Sequence, residues 1–515
     1  MGLHRFIIVI PVADRPRHIQ ACLDSLRKLL LRYPYAGEIA VLIADDSADA
    51  AHVAANRAIA ARYSAANLNV IHFDPDEQFA LIQPLRETLP NVVGNVPHEN
   101  SANFGHKGQG AMRNIAYLKV AALLKDMPGE NVLIWSLDSD QEFCVKVATP
   151  EGDKDVYDID FFNSLDAIFS RTDTLVLTGK VVGDPPVSPA VMTGNFLADV
   201  IGFLQQMTAI APVSACSHHR ADTRHTGDAA YHDMADLFGF QAATEAYRYR
   251  CPLTGQHTAS DCFAHFAARL NSFFYGEHLT RVSYYEDAEL FSTVQAARTV
   301  YAGNYVFRPE ALKYFIPFAS LRLRMSGPTL GRMMRAELGS RFVSANLPML
   351  HKRTVETGGQ SEFRPGIETQ TERIDMSGEF ERQFYGDVML FSIERLSESR
   401  RPASTDFSET LDNVRSAMLE KYNARQQLIL DRLSEVETLL HAPTAWWNHA
   451  ADHADAFANF TSFVANIRHN FGENTVGHTR INAAGNWQKW RTDLLAAIES
   501  YPVDRAAWEA VLCAH

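Results

Sequence analysis

Residues 131–140, NVLIWSLDSD, place a short apolar run directly before two carboxylates separated by one serine. A run of that length, rich in branched and aromatic residues, predicts a strand buried on both faces, as in a parallel sheet covered by helices. Its acids then fall at the strand's C-terminal end, where open parallel sheets bind their ligands. The flanking sequence agrees. Residues 5–10 (RFIIVI) predict a strand ended by Pro11, and 16–31 carry apolar groups at helical spacing with Pro16 in the first turn. A strand over 39–44 runs into Asp45-Asp46-Ser47, followed by a helix over 50–64 and a strand over 68–72. A helix over 110–126 precedes the opening stretch; 158–170 reads as helix and 174–178 as strand. This alternation predicts an α/β fold with a mostly parallel sheet and helices on both faces.

Signals weaken between 181 and 260, where VVGDPPVSP and SHHRADTRHTGD suggest long loops around a site. Strand character returns near 298–307 and at 341–345, with a helix over 328–337 between them. Beyond about 375 the style changes: segments 380–398, 405–438, 452–468 and 485–499 have helical apolar spacing. The expected organisation is a domain over 1–375 and a helical C-terminal region over 376–515. Its helices are expected to pack on the first domain, with oligomerisation through them left open.

At 515 residues and 46% hydrophobic, the chain can build more than one core. A net charge of −13 gives no support to duplex nucleic acid as a partner, although the arginines near 322–335 form a local basic patch. The six cysteines are widely spaced without a CxxC pair, so reduced structural thiols are expected rather than a disulfide framework or a cysteine-rich metal site. No apolar run reaches membrane-spanning length and the first is too short for a signal peptide. The expectation is a cytoplasmic protein without a transmembrane segment, peripheral attachment to the inner membrane face being left open.

Asp138 and Asp140 are the sharpest chemical signal. Two carboxylates at i and i+2 can hold a hard cation, Mg²⁺ or Mn²⁺, while substrate phosphates complete its shell; the plainer alternative is a pair of solvated loop acids. His351, in LPMLHKRT, could add a nitrogen ligand. His218-His219, His225 and His232 lack tight ligand spacing and suggest a polar loop near a second substrate. Residues 105–114, GHKGQGAMRN, read as a Gly-rich turn opening a helix, with Lys107, Arg113 and Asn114 as donors to an anion. The spacing is neither a Walker loop nor GxGxxG. Pro11, Asp14 and Asp46 sit at neighbouring strand ends and are candidates for nucleotide contact.

Together these stretches resemble the GT-A class of glycosyltransferases, closest to the family 2-like group. VIPVADRP with CLDSL is similar to their opening strand and helix, IADDSAD to their nucleotide-binding acidic turn, and GHKGQGAMRN to their Gly-rich turn. LDSD is similar to their DxD motif, YAGNYVFRPEAL to the loop before their acceptor helix, and FVSANLPMLHKRT to the segment with a late metal-ligand histidine. The resemblance covers about residues 5–355 and implies a Rossmann-like GT-A fold binding a nucleotide-sugar. It implies metal-dependent transfer to a hydroxyl on a saccharide, glycolipid or small acceptor, in the manner of a hexosyltransferase. On that pattern Asp46 would contact the nucleoside, Asp138, Asp140 and His351 would hold the metal, and Arg113 and Asn114 would organise the donor.

One departure matters. The acidic pair that supplies a base in inverting members is replaced by Gly327-Pro328 in RMSGPTLGRMM. Glu286-Asp287 in YYEDAELF is the nearest acidic pair and the candidate base, with a solvated helix start as its plainer role. Stereochemistry is therefore unassigned. The alternatives are a nucleotidyltransferase, which shares the sheet, Gly-rich turn and paired acids, and a non-catalytic carbohydrate-binding or scaffold protein.

Overall fold

The computed structural model describes residues 3–94, 104–149, 152–218, 249–300, 303–316, 318–353, 364–370, 373–398, 404–449 and 451–514. His219, His225 and His232, together with Tyr301 and Ala302, lie outside the described residues.

The strands are β1 (Arg5–Val12), β2 (Ile39–Asp45), β3 (Asn69–Phe73), β4 (Val132–Leu137), β5 (Gln141–Glu142), β6 (Val145–Thr149), β7 (Gly152–Val156), β8 (Val176–Thr178), β9 (Val181–Gly183), β10 (Gln295–Ala296), β11 (Asn304–Phe307), β12 (Phe342–Ser344) and β13 (Met349–His351). The main sheet runs β10-β12-β8-β11-β4-β1-β2-β3. Strands β1 to β4 are mutually parallel, while β11 is antiparallel to both β4 and β8, so the sheet is mixed but mostly parallel. Side chains of β1 alternate as the pleat requires. Ile7 and Val9 enter one core, and Phe6, Ile8, Ile10 and Val12 enter the other.

The main helices flanking the sheet are α1 (Pro16–Arg32), α2 (Ala50–Ala65), α3 (Pro75–Ile82), α4 (Pro90–Val93), α5 (Gln109–Lys125) and α6 (Phe161–Arg171). The chain moves outward from β1 to β3, then α5 carries it back to β4 on the other side of β1. That reversal creates a switch point beyond the C-terminal ends of β1 and β4. A small sheet, β5-β13-β9, caps the same edge and pairs His351 with Gln141. The register explains how residues far apart in sequence meet: Gln141 directly follows Asp140.

Helices α7 (Pro189–Thr208), α8 (Ala259–Arg269), α9 (Ser326–Leu338), α10 (Ser377–Glu398), α11 (Ser404–Leu440), α12 (Ala454–Phe471), α13 (Val476–Asn482) and α14 (Ala484–Ala514) complete the chain. The region expected to be long loops thus contains α7, capped by Ser188 with Pro189 in its first turn. Fifteen of its twenty residues are buried, so it lacks the one-sided stripe that marks an amphipathic helix. Helices α7 and α8 share one apolar core with residues of α10 to α14. The far end of α14 reaches the sheet, where Trp508 is buried and its Nε1 donates to the Leu312 carbonyl at 3.0 Å. Among the described residues, no helix is long and apolar enough to cross a membrane.

Candidate functional site

A cleft of about 850 Å³ opens at the switch point. Pro11, Asp46, Asp138, Asp140 and His351 all line it. These are candidates from four separate stretches of sequence, brought together because β1, β2 and β4 end on one edge and β13 folds over it.

Asp140 is the electrostatic centre. Its carboxylate is 2% exposed and has Arg353 Nη1 at 3.1 Å, Arg15 Nη1 at 3.4 Å and Arg364 Nη1 at 3.8 Å from Oδ2. Burial would raise this carboxyl, but His351, Arg353 and Arg15 hold it well below the usual carboxylate range. Arg364 is pushed down by burial and by the neighbouring charges of Arg15 and Arg353. Three guanidiniums around one carboxylate leave an excess of positive charge, which suits an anionic ligand.

Asp140 Oδ1 faces the other way. It is buried, has no hydrogen-bond partner among the described residues, and lies 3.5 Å from His351 Nε2. His351 Nδ1 meets the Asp184 carbonyl at 2.5 Å. A carbonyl can only accept, so Nδ1 donates there and Nε2 is the ring nitrogen left facing Asp140. An unsatisfied carboxylate oxygen beside such a nitrogen fits two ligands of a divalent cation. Asp138 is held apart from this pair: its Oδ1 accepts from Gln109 Nε2 at 2.7 Å and Arg113 Nη2 at 2.5 Å.

Asp184 organises this corner, a role no motif announced. Its carboxylate accepts the backbone N–H of Arg353 at 2.9 Å and of His278 at 3.0 Å. One side chain therefore fixes the segment carrying both His351 and Arg353.

The Gly-rich turn is pinned to the acidic turn beside it. Asp46 accepts the backbone N–H groups of Lys107 (3.0 Å) and Gly108 (3.3 Å), and pairs with Lys107 Nζ at 2.7 Å. The Lys107 ammonium is buried under the turn, also donating to the Phe104 carbonyl, and burial pushes its pKa down against the pull of Asp46. A side chain at Gly105 would collide with the Ser47 carbonyl at 2.5 Å, which explains the glycine. Asn114 Nδ2 donates inward to the Val92 carbonyl at 2.6 Å.

Asp14, at φ 52°, also faces its own turn. It accepts from the backbone of Ala48 and Asp49 and from His52 and His106. Burial would raise its carboxyl, but the His106 bond and the others hold it well below the usual range. Asp14, Lys107, Arg113 and Asn114 thus shape the site from behind the cleft wall.

Glu286 and Asp287 lie in an extended loop rather than at a helix start and are not among the residues lining the cleft. Tyr285 Oη donates to Asp287 at 3.0 Å, and the Glu286 carbonyl accepts from Asn346. Gly327 and Pro328 do line the cleft, at the start of α9. The loop leading there places Phe318, Arg322 and Met325 at φ 57°, 51° and 66°. Three non-glycine residues in the left-handed region mark a strained rim.

Sequence reasoning missed most of the cations. Eight arginines and one lysine line the cleft against four carboxylates. Arg298 and Arg332 are matched by Glu394 outside it, at 2.7 and 3.2 Å. The fourth lining carboxylate, Glu379 on α10, accepts from Ser188 Oγ at 2.8 Å and pairs with Arg324 and Arg382 at 3.4 Å. Arg15 and Arg353 stand inside the quoted motifs VADRP and LHKRT, but only the folded chain turns them onto Asp140.

No family model matches the chain, and no curated protein does. Among solved structures, it is similar to mouse xyloside xylosyltransferase 1 in its apo form, at 13% identity and a TM-score of 0.20. That match covers 38% of this chain and 56% of the other, so the chain spans little more than half of that protein's length. The architecture itself defines an α/β protein with a mixed, mostly parallel sheet, helical extensions and an arginine-rich cleft at the strand ends.

Proposed function

We propose that the cleft binds a nucleotide-sugar and transfers its sugar to a hydroxyl-bearing acceptor. The supporting observation is the convergence of Arg15, Arg353, Arg364 and His351 on Asp140 at the switch point. A diphosphate placed there balances the surplus guanidinium charge, and Asp46 stands at the adjacent strand end for the nucleoside. Asp140 and His351 would hold Mn²⁺ or Mg²⁺, with Asp138 tied to Gln109 and Arg113 on the same cleft wall, and the ion would supply Lewis-acid stabilisation of the departing diphosphate.

In the reaction, the bond between the anomeric carbon and the diphosphate oxygen breaks while a bond to the acceptor oxygen forms. The arginines stabilise the charge that develops on the leaving diphosphate, an electrostatic contribution made by groups already in place. The acceptor's proton passes to the departing diphosphate or to solvent, since Glu379, the lining carboxylate outside the strand-end clusters, is already committed to Arg324, Arg382 and Ser188.

A second reading has its own support. Three arginines can neutralise a diphosphate without a metal, which makes transfer metal-independent. One experiment separates these readings: a panel of nucleotide-sugars is incubated with the protein, with and without Mn²⁺, and both binding and nucleoside-diphosphate release are followed. Release that needs Mn²⁺ and disappears in Asp140→Asn supports the metal-dependent reading. Undiminished release in chelator supports the arginine-only reading. Absence of binding to every donor overturns both and favours a non-catalytic protein, whereas turnover of free nucleoside triphosphates points to a nucleotidyltransferase.

A further inference from the structure

Three of the six cysteines meet outside the residues lining this cleft. Cys216 follows the turn after α7, Cys251 lies in an extended segment, and Cys262 sits in the first turn of α8. Their sulfurs form a chain, Cys216 to Cys262 at 3.1 Å and Cys262 to Cys251 at 3.4 Å. His257 completes the group, its Nε2 lying 3.3 Å from Cys251 Sγ. All four donor atoms lie within 4.8 Å of one another, and this is the one such grouping among the described residues.

The surroundings orient these groups. His257 Nδ1 faces the Gly255 carbonyl at 2.9 Å, so the proton belongs on Nδ1 and the Nε2 lone pair points at the sulfurs. Backbone bonds lace the two segments together: Cys216 N–H to the His257 carbonyl, Cys251 N–H to the His218 carbonyl, and Ala259 N–H to the Ser214 carbonyl. The Cys216 sulfur accepts the His218 N–H at 3.4 Å, as thiolates bound to metals commonly do. The Thr258–Asp261 capping box fixes the start of α8 and hence the direction of Cys262.

Tetrahedral zinc, with about 2.3 Å to sulfur and about 2.0–2.1 Å to nitrogen, draws its donor atoms to roughly 3.5–3.8 Å from one another. The grouping needs only small adjustments to reach that geometry. Three soft thiolates and an imidazole select zinc over Mg²⁺ or Ca²⁺. Four protein ligands leave no open position, which defines a structural rather than a catalytic centre.

We propose that Cys216, Cys251, His257 and Cys262 form a structural zinc site that ties the segment after α7 to the start of α8. Zinc replaces the protons of the three thiols, which pass to solvent, and closes the chain between Cys216 and Cys251. Its free energy adds directly to folding of the core around it. That core is aromatic: Phe203 stacks on Phe266 at 4.0 Å, and Phe263 stacks on Trp447 at 4.8 Å. None of the four ligands lines the cleft, so the site acts on stability and not on the reaction.

The test uses the full chain, purified without added metal and analysed for metal content. Stoichiometric zinc is expected in the wild type, with strong loss in Cys262→Ser. His257→Ala removes a partly exposed ligand without opening the core, and should weaken zinc by more than the about 10–100-fold typical of losing a second-shell partner. After chelation, Co²⁺ should give the intense visible bands of tetrahedral thiolate coordination, weakened in His257→Ala. A wild-type chain that is free of zinc and takes up neither Zn²⁺ nor Co²⁺ under reducing conditions overturns the proposal. So does zinc content unchanged in both variants, or a Cys216–Cys262 disulfide in the metal-free protein as isolated.

Discussion

Two clusters of potential metal ligands sit in this molecule, and they differ in every respect that matters to function. The strand-end cluster uses a carboxylate and an imidazole, is ringed by arginines, and lines a large cleft. The cysteine cluster uses soft donors, encloses its centre with protein ligands, and stands away from that cleft. Hard ligands beside open space and surplus positive charge suit a cation that shares phosphates with a substrate. A closed soft set suits a cation that only holds the chain together. Ligand chemistry and access separate the two roles more clearly than the number of ligands does.

The strongest perturbation should strike both clusters. Asp199 on α7 and Arg281 form a fully buried pair at 2.9 Å, with Thr280 donating to the same carboxylate at 2.6 Å. The segment containing Arg281 also holds Ser283 against Gly183 and His278 against Asp184. Asp199→Ala strands a buried guanidinium and should cost about 3–5 kcal/mol in denaturant unfolding, with metal retention and donor binding both weakened. A loss below about 1 kcal/mol, comparable with an exposed pair, would break this link between the two regions.

Asp140→Asn keeps the shape of the strand-end cluster and removes its charge. Turnover should fall by about 10²–10³-fold, the scale for losing a preorganised electrostatic group, while zinc content stays unchanged. Cys262→Ser should do the reverse, lowering Tm and zinc content but preserving kcat in the protein that remains folded. If each variant impaired both properties equally, the division of labour would be wrong.

Arg353→Ala should weaken nucleotide-sugar or nucleoside-diphosphate binding by about 10–100-fold, matching about 1.5–3 kcal/mol for a charge-assisted contact. Titration calorimetry reads this directly. An unchanged Kd would mean that the arginines serve Asp140 alone.

The smallest effect concerns pH. Asp387 is buried in α10, where burial raises its pKa to about 6 despite hydrogen bonds from Tyr422 and Gln383. A carboxyl raised in the folded state contributes stability that is full below its unfolded pKa near 4 and is lost as pH rises through 6. His278 and His478 act oppositely: burial lowers each to about 4, so their contribution is present above about 6.5 and lost as pH falls through 4. The comparison with Asp387→Asn isolates one group. The variant's stability relative to wild type should rise by on the order of 1–2 kcal/mol from pH 4 to pH 7. A difference independent of pH would remove Asp387 as a titrating group and leave the comparison of the two clusters untouched.

How much was legible depended on the range of the interactions involved. The strands RFIIVI and NVLIWSL, and the four C-terminal helical segments, were readable because local periodicity records which faces are buried. Helix α7 was not, because a segment buried almost all round has no exposed face to set its period. Asp138 and Asp140 stood out as candidates by adjacency, and His351 by its place in LPMLHKRT together with the resemblance. Arg15, Asp184 and Arg364 carried no such signal, since an isolated arginine or aspartate reads the same on a surface as against a buried carboxylate. Glu286 and Asp287 show the converse: adjacent acids are easy to see, yet the loop that carries them runs outside the residues lining the cleft.

By itself, the sequence determined the class of fold, the strand ends at which acidic residues emerge, and the helical character of the C-terminal part. These follow from short-range patterning of apolar groups and turns. Only the tertiary structure decided that three arginines surround Asp140 and that Cys216, Cys251, His257 and Cys262 share one centre. Both depend on chain crossings between distant segments, which hydrogen-bond register and core packing choose and local spacing does not encode.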